Sequence, residues 1–182
     1  MAGSVVLVGF MGAGKSSVAR LLARRLGRCL VETDDMITAK EGRSIPEIFA
    51  AEGEAYFRAA EDEALRLLAL KRDNVVATGG GLPCREGRPA QLRALGPVVW
   101  LSGDFETLLA RARRGGERPM LDGRSRDEIL ALFRSREPFY RQADLEVDTT
   151  ALSPDQVTAR IVSLLRSRDC RLPSSGGAPA EA

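Results

Sequence analysis

The sequence predicts an α/β fold in which a parallel sheet carries helices on both faces. Two observations predict it: five short apolar segments alternate with segments of helical periodicity, and the first of them runs into a glycine-rich turn followed by a helix. Strands that alternate with helices pair in parallel, because each crossover returns the chain to the same end of the sheet. The 182 residues are enough for one such domain and too few for two.

Short runs of β-branched and aliphatic residues predict the strands, because apolar runs of this length are typical of buried parallel strands. The first, SVVLV, is the most apolar, and the last, LEV, has a charge at its centre and is the weakest signal. In chain order the predicted strands cover residues 4–8, 29–31, 75–77, 98–101 and 145–147.

Helices are predicted between the strands from apolar residues at helical spacing and from start signals. Ser44 with Glu47, and Ser125 with Glu128, have the spacing of a capping box. Gly53 is expected to divide the helical region that begins at Ser44. In chain order the predicted helices cover residues 15–26, 45–52, 55–71, 89–95, 105–113, 126–136 and 154–168.

Composition limits the chemistry and the partners of the chain. There is no histidine, so any general base is expected to be a carboxylate. A net charge of +2 and the absence of a long apolar run argue against nucleic-acid and membrane partners. Of the 27 basic residues, 24 are arginines, so a single lysine at a motif position carries more weight than a single arginine.

Three widely spaced cysteines, Cys29, Cys84 and Cys170, form no CxxC pair. This argues for reduced thiols and against a disulfide or zinc framework. Together with a start that lacks a basic signal segment, it predicts a cytoplasmic protein. No large apolar surface stripe is visible, so a monomer is expected.

GFMGAGKS, at residues 9–16, fits the pattern G-x-x-x-x-G-K-[ST] at every fixed position. A random chain of this size matches the pattern about once in a hundred times, and here the motif also follows a strand and opens a helix. Its glycines direct backbone N–H groups toward phosphate oxygens, Lys15 is expected to neutralise the β- and γ-phosphates, and the Ser16 hydroxyl to bind Mg²⁺. The residues predicted to bind the nucleotide phosphates are Gly12, Ala13, Gly14, Lys15, Ser16 and Ser17.

Two further strands end in residues suited to ligands. ETDD, at residues 32–35, follows the second strand, and TGGG, at residues 78–81, follows the third. Ligands of open α/β sheets bind at these carboxyl ends. Asp34 in isolation has an alternative interpretation as a helix N-cap, and the glycines as an ordinary turn.

The chain resembles the shikimate kinases through GFMGAGKSS, ETDD, GRSIPEIFAAEGEAYFR, TGGG, ERPML and SREPFYR, in this order, over about residues 5–150. The resemblance implies a three-layer P-loop kinase fold with strand order 2-3-1-4-5. It also implies a mobile lid at about residues 113–126, a stretch that is rich in glycine and arginine. Residues 1–168 are then one kinase domain, and residues 169–182 are expected to be a disordered tail.

The implied activity is Mg²⁺-dependent transfer of the ATP γ-phosphoryl group to the 3-hydroxyl of shikimate. The resemblance makes Asp34 the residue that orients the attacking hydroxyl and later accepts its proton. Arg58 and Arg136 would hold the shikimate carboxylate, for which a planar guanidinium is suited. The backbone N–H groups expected to reach substrate and γ-phosphate are those of Gly79, Gly80 and Gly81.

Two more arginines are assigned by resemblance alone. Arg118, in ERPML, lies in the lid and would stabilise the charge that develops on the phosphoryl group. Arg111 matches a position near the adenine.

The sequence departs from the family pattern at two places. Glu32 stands where an aspartate that helps to organise the Mg²⁺ environment is usual, and two alternatives follow: Glu32 acts through a shifted water, or Asp35 contributes. Residues 149–154 lack the arginine that covers the adenine in some relatives, which leaves apolar and backbone contacts for that base.

Three other functions share parts of the pattern. A gluconate kinase has a similar phosphate-binding loop and a similar size. The residues of the acceptor pocket distinguish a gluconate kinase from a shikimate kinase. A nucleoside monophosphate kinase would have a longer lid and base-reading residues. A regulatory module would bind nucleotide without turnover, although such relatives usually lose the lysine or the substrate arginines that this chain keeps.

Overall fold

A single parallel sheet forms the centre of the computed structural model, which describes residues 3–114 and 123–169. The strand order is β2-β3-β1-β4-β5, and every neighbouring pair is parallel, which confirms the predicted topology. Within the described residues the strands are β1 (Val5–Val8), β2 (Cys29–Glu32), β3 (Asn74–Ala77), β4 (Val98–Ser102) and β5 (Leu145–Asp148).

Helices connect the strands in the right order for parallel pairing. In the described part of the chain they are α1 (Lys15–Leu26), α2 (Thr33–Glu41), α3 (Ile45–Ala69), α4 (Arg88–Leu95), α5 (Phe105–Arg114), α6 (Arg126–Tyr140) and α7 (Pro154–Asp169). None of them is long and apolar enough to cross a membrane.

The core lies on both sides of β1, whose four residues are all buried. Because successive strand residues point to opposite faces, this burial means that both faces of the sheet are covered. On α1, Val18 and Leu22 belong to the same core, as does Ile161 of α7, which packs against α1. Burying one such aliphatic side chain stabilises the fold by about 1.5–3 kcal/mol, so removing any of them costs a large share of a typical domain stability.

The predicted break at Gly53 is present as a kink. The helical hydrogen-bonding pattern runs through α3, but Gly53 has φ 80° and ψ −178°, which a residue with a side chain rarely adopts. The capping boxes of Ser44 with Glu47 and Ser125 with Glu128 are both formed, so the starts of α3 and α6 are confirmed.

Two secondary-structure predictions are wrong. No helix is predicted at residues 33–41, where α2 lies; α2 is short, and only Thr33 and Ile37 of its residues are buried, so its apolar periodicity is weak. The helix expected to end at Arg136 continues through Pro138 to Tyr140, because tertiary packing of Tyr140 holds the last turn in place. Residues 115–122, the centre of the expected lid with Arg118, and residues 170–182 of the expected tail lie outside the described residues.

Candidate active site

The phosphate cradle, residues 9–16, joins the end of β1 to the start of α1. Gly14, with φ 82°, is the N-cap of α1, and the first turn of this helix contains no acidic residue that would oppose an anion. Gly12, with φ 78°, lies so close to the backbone of Leu108 in α5 that any side chain there would overlap the Leu108 carbonyl. The loop is therefore fixed between α1 and α5, with its N–H groups at a helix N-terminus.

Lys15 extends back along the cradle. Its Nζ donates to the carbonyls of Gly9 at 2.8 Å and Phe10 at 3.0 Å. The ammonium group thus lies over the same loop whose backbone is suited to phosphate, and it adds a full positive charge to the positive end of the α1 dipole.

Ser16 and Glu32 are direct neighbours across the cradle. The Ser16 hydroxyl donates to Glu32 Oε2 at 2.6 Å, which brings the end of β2 to the first turn of α1. Among residues 3–114 and 123–169 there is no cluster of three or more metal-binding side chains. A hydroxyl and one carboxylate fit Mg²⁺ that takes its other ligands from phosphates and water, which is the usual arrangement for this ion.

Asp34 lies in the first turn of α2, directly against the glycine turn that follows β3. Gly79 N donates to Thr33 Oγ1 at 2.9 Å, and a side chain on Gly79 would overlap the Asp34 carboxylate. Burial raises the pKa of Asp34 above its ordinary value, and the positive charge of Lys15 opposes that rise only in part. The carboxylate is therefore a better proton acceptor than a solvated aspartate.

Arg58, on α3, is held by two carboxylates. Its Nη1 donates to Glu61 at 2.9 Å, and its Nε and Nη2 donate to Glu54 at 3.1 and 2.8 Å. The Glu61 side chain is only 2% exposed, and this burial raises its pKa despite the nearby guanidinium. A buried carboxylate one helical turn away therefore fixes the direction of the Arg58 guanidinium.

Two guanidinium groups meet at the glycine turn. A Cβ built on Gly81 would lie 3.3 Å from Arg136 Nη2 and 3.5 Å from Arg58 Nη1, and one on Gly80 would lie 3.4 Å from Arg136 Nη1. Arg136 also lies over the ring of Phe10, 5.9 Å from its centroid. Two like charges this close to one point favour an anion between them, and a carboxylate matches their planar geometry.

Comparison with known proteins decides the family. The family model for shikimate kinase matches residues 11–166. The chain belongs to the shikimate kinase family. A shikimate kinase of Moorella thermoacetica is 44% identical over 167 residues, which cover 92% of this chain and 96% of that protein. One of Geobacter metallireducens is 45% identical over 166 residues, 91% of this chain and 93% of the other.

A solved structure is also similar. Shikimate kinase from Acinetobacter baumannii in complex with shikimate has a TM-score of 0.86 and 34% identity, and the match covers 93% of this chain and 96% of that one. The fold described above is thus that of the shikimate kinases.

Within this family fold, the structure brings most of the predicted site residues together at the carboxyl ends of β1, β2 and β3. Arg111 lies to one side of them, where its guanidinium donates to the carbonyls of Thr149 and Thr150, each at 2.9 Å. It therefore fixes the segment after β5, for which the sequence predicts apolar and backbone contacts with adenine. Arg118 lies outside the described residues.

Two cavities lie away from this shikimate-kinase site. One of 620 Å³ lies between α3 and α4 and is lined partly by Asp62 and Arg88, and one of 560 Å³ lies beside β5 and α7. Neither is lined by a predicted site residue.

Sequence reasoning missed three residues that organise the site: Thr33, Glu61 and Tyr140. Thr33 and Glu61 have a detectable signal, since each is a polar residue next to or one turn from a predicted site residue. Tyr140 has no signal of its own in the sequence beyond its place in SREPFYR.

Proposed function

We propose that this chain transfers the γ-phosphoryl group of ATP to the 3-hydroxyl of shikimate, giving 3-phosphoshikimate and ADP. The observation that carries the proposal is the convergence of the Arg58 and Arg136 guanidinium groups on Gly81, beside Asp34. A small acceptor with one carboxylate and neighbouring hydroxyls fits this arrangement.

The acceptor is held at its carboxylate end by Arg58 and Arg136. Glu61 keeps Arg58 oriented, so less side-chain freedom is lost when the acceptor binds. The backbone N–H groups of Gly80 and Gly81 supply further donors, and Asp34 accepts a hydrogen bond from the attacking hydroxyl. These contacts place the hydroxyl oxygen for in-line attack. The N–H of Gly79, which was also predicted to reach the substrate, instead donates to Thr33.

In the transfer step a bond forms between the acceptor oxygen and the γ-phosphorus, and the bond from that phosphorus to the β,γ-bridging oxygen breaks. The hydroxyl proton passes to Asp34, whose raised pKa suits it to receive a proton late in the step. Lys15 and the cradle N–H groups stabilise the charge on the phosphates, and Arg118 of the proposed lid adds a further positive charge.

Mg²⁺ supplies charge neutralisation of the phosphates when it is bound. Ser16 would hold it directly, and Glu32, which already accepts a hydrogen bond from Ser16, would act through a water. Arg111 would act at the adenine end by holding the backbone of Thr149 and Thr150.

The remaining proposals concern the whole protein. Residues 1–168 are proposed to form one kinase domain with its lid at about residues 113–126, and the protein is proposed to be a cytoplasmic monomer.

The test is ADP formation from ATP and Mg²⁺ with shikimate, gluconate or quinate as the acceptor, compared with no acceptor. Strong stimulation by shikimate alone is expected. Turnover with gluconate instead would overturn the acceptor assignment, and nucleotide binding without turnover on any acceptor would favour the regulatory module. Lys15→Ala should abolish the stimulated rate, whereas Lys71→Ala, an exposed lysine beyond the end of α3, should leave it unchanged.

A further inference from the structure

Tyr140 links the end of α6 to the glycine turn. Its side chain is 1% exposed, and its hydroxyl donates to the Gly80 carbonyl at 2.6 Å. The Cys84 thiol donates to the same carbonyl at 3.5 Å. A carbonyl has two lone pairs, so both donors can be accepted at once, and the shorter bond is that of Tyr140.

This bond fixes the direction of one peptide unit. The C=O of Gly80 and the N–H of Gly81 belong to the same planar trans peptide and point in opposite directions. Since Tyr140 holds the Gly80 carbonyl, the Gly81 N–H points away from the Tyr140 hydroxyl, and a Cβ built on Gly81 would lie 3.3 Å from Arg136 Nη2 and 3.5 Å from Arg58 Nη1. Across residues 3–114 and 123–169, no acceptor is bound to the N–H of Gly80 or Gly81, so both donors remain available to a ligand.

Arg136 lies on the same helix, one turn before Tyr140. Its guanidinium is close to both Gly80 and Gly81. The Tyr140 ring stacks on Trp100 of β4, with centroids 6.3 Å apart, so it is held by the core. One helix end therefore sets both the guanidinium and the peptide that face the proposed carboxylate.

We infer that Tyr140 is a positioning residue: its hydroxyl orients the peptide between Gly80 and Gly81 so that the Gly81 N–H and the Arg136 guanidinium bind the acceptor together. Three consecutive glycines have no side chains to restrain them, so this peptide needs an external hydrogen bond to keep one orientation. The inference rests on the proposed function for the identity of the acceptor.

The test is Tyr140→Phe, which removes only the hydroxyl. The KM for shikimate should rise about tenfold, because the Gly81 N–H loses its fixed orientation, as expected for a lost hydrogen bond in a binding site. The KM for ATP should change less than about twofold, since the cradle is untouched. An unchanged KM for shikimate would overturn the inference.

Two controls separate positioning from general destabilisation. Tyr56→Phe removes a hydroxyl that donates to Glu41 at 2.9 Å on the surface, and it should leave both KM values unchanged. Ile161→Val removes a methyl group from a fully buried side chain of α7, and it should lower the melting temperature while the KM for shikimate stays unchanged. If Ile161→Val also raises the KM for shikimate, the effect of Tyr140→Phe is merely structural.

A ligand-free measurement keeps the inference testable if the acceptor is wrong. If the wild-type protein shows no shikimate-dependent turnover, the proposed function fails. The NMR order parameter of the Gly81 N–H then decides the role of Tyr140: it should fall in Tyr140→Phe, and an unchanged value would overturn the inference.

Discussion

The cradle and the acceptor pocket bind charged ligands in different ways. The cradle is one continuous segment, residues 9–16, and it offers backbone N–H groups, one ammonium and a helix N-terminus. The acceptor pocket takes single residues from α2, α3, the turn after β3 and α6, and its Arg58 is paired with the buried carboxylate of Glu61. The cradle is encoded by one local segment, whereas the acceptor pocket forms only when the folded sheet has brought these separate elements together.

The difference extends to electrostatics. The first turn of α1 has no acidic residue, and the carboxylate beside the cradle is that of Glu32, which accepts a hydrogen bond from Ser16. The pocket contains Asp34 and Glu61, and burial raises the pKa of both. The ionised forms of Asp34 and Glu61 are therefore costly to bury. Carboxylates with pKa values shifted in this way are typical of functional sites.

The largest expected effect separates catalysis from nucleotide binding. Asp34→Asn should lower kcat by about 10²–10⁴-fold, because the hydroxyl loses both its orienting carboxylate and its proton acceptor. The affinity for ATP, measured by calorimetry, should stay within about twofold because the cradle is unchanged. A kcat close to that of the wild type would remove Asp34 from the mechanism.

The same variant gives a prediction for pH and stability. A raised pKa in the folded state means that Asp34 contributes stability at pH values below its unfolded pKa, and that this contribution is lost as pH rises through its folded pKa. At pH 7 the ionised carboxylate is therefore a cost that asparagine removes. Asp34→Asn should melt at the same or a higher temperature than the wild type at pH 7, and this advantage should shrink toward pH 4. A lower melting temperature at pH 7 would contradict the predicted direction.

A smaller effect is expected from the partner of Arg58. Glu61→Gln keeps the side-chain volume but removes the charge, so Arg58 is held less firmly and the KM for shikimate should rise about three- to tenfold. Glu63→Gln is the matched control on the same helix, because Glu63 pairs with Arg66 at 2.7 Å on the exposed side. Equal effects of the two variants on the KM would show that Glu61 has no specific role.

The smallest effect should come from Glu32. Glu32→Asp shortens the side chain by one methylene and restores the residue that is usual in the family, so kcat should change less than about threefold. The Mg²⁺ concentration for half-maximal rate should shift, because Ser16 and Glu32 are hydrogen-bonded beside the proposed ion site. If kcat and the Mg²⁺ dependence are both unchanged, Glu32 takes no part in binding the ion.

Much of the fold was predictable because it is locally encoded. The strand positions, both capping boxes and the Gly53 kink follow from apolar runs, residue spacing and turn chemistry, and the structure confirms them. The strand order, which the structure also confirms, was implied by the family resemblance alone. Helix α2 was missed because few of its residues face the core. Arg58 is one of 24 arginines, so only the family resemblance singled it out.

The contacts of the site that could not be predicted from the sequence are those between side chains and turns that the fold brings together. The contacts of Glu61 with Arg58 and of Thr33 with Gly79 depend on which face of a helix meets which turn, and periodicity does not specify this. The contact of Tyr140 with Gly80 joins residues 60 positions apart, and it forms only after β3 and α6 have packed together.

The central claim is that nucleotide and acceptor are bound by separate structures. Titration calorimetry of Arg136→Ala with shikimate and with ADP tests it most directly. The dissociation constant for shikimate should rise about 30-fold or more, and that for ADP should change less than about twofold, because Arg136 contacts the glycine turn and not the cradle backbone. Unchanged shikimate affinity, or an equal loss for both ligands, would contradict the account.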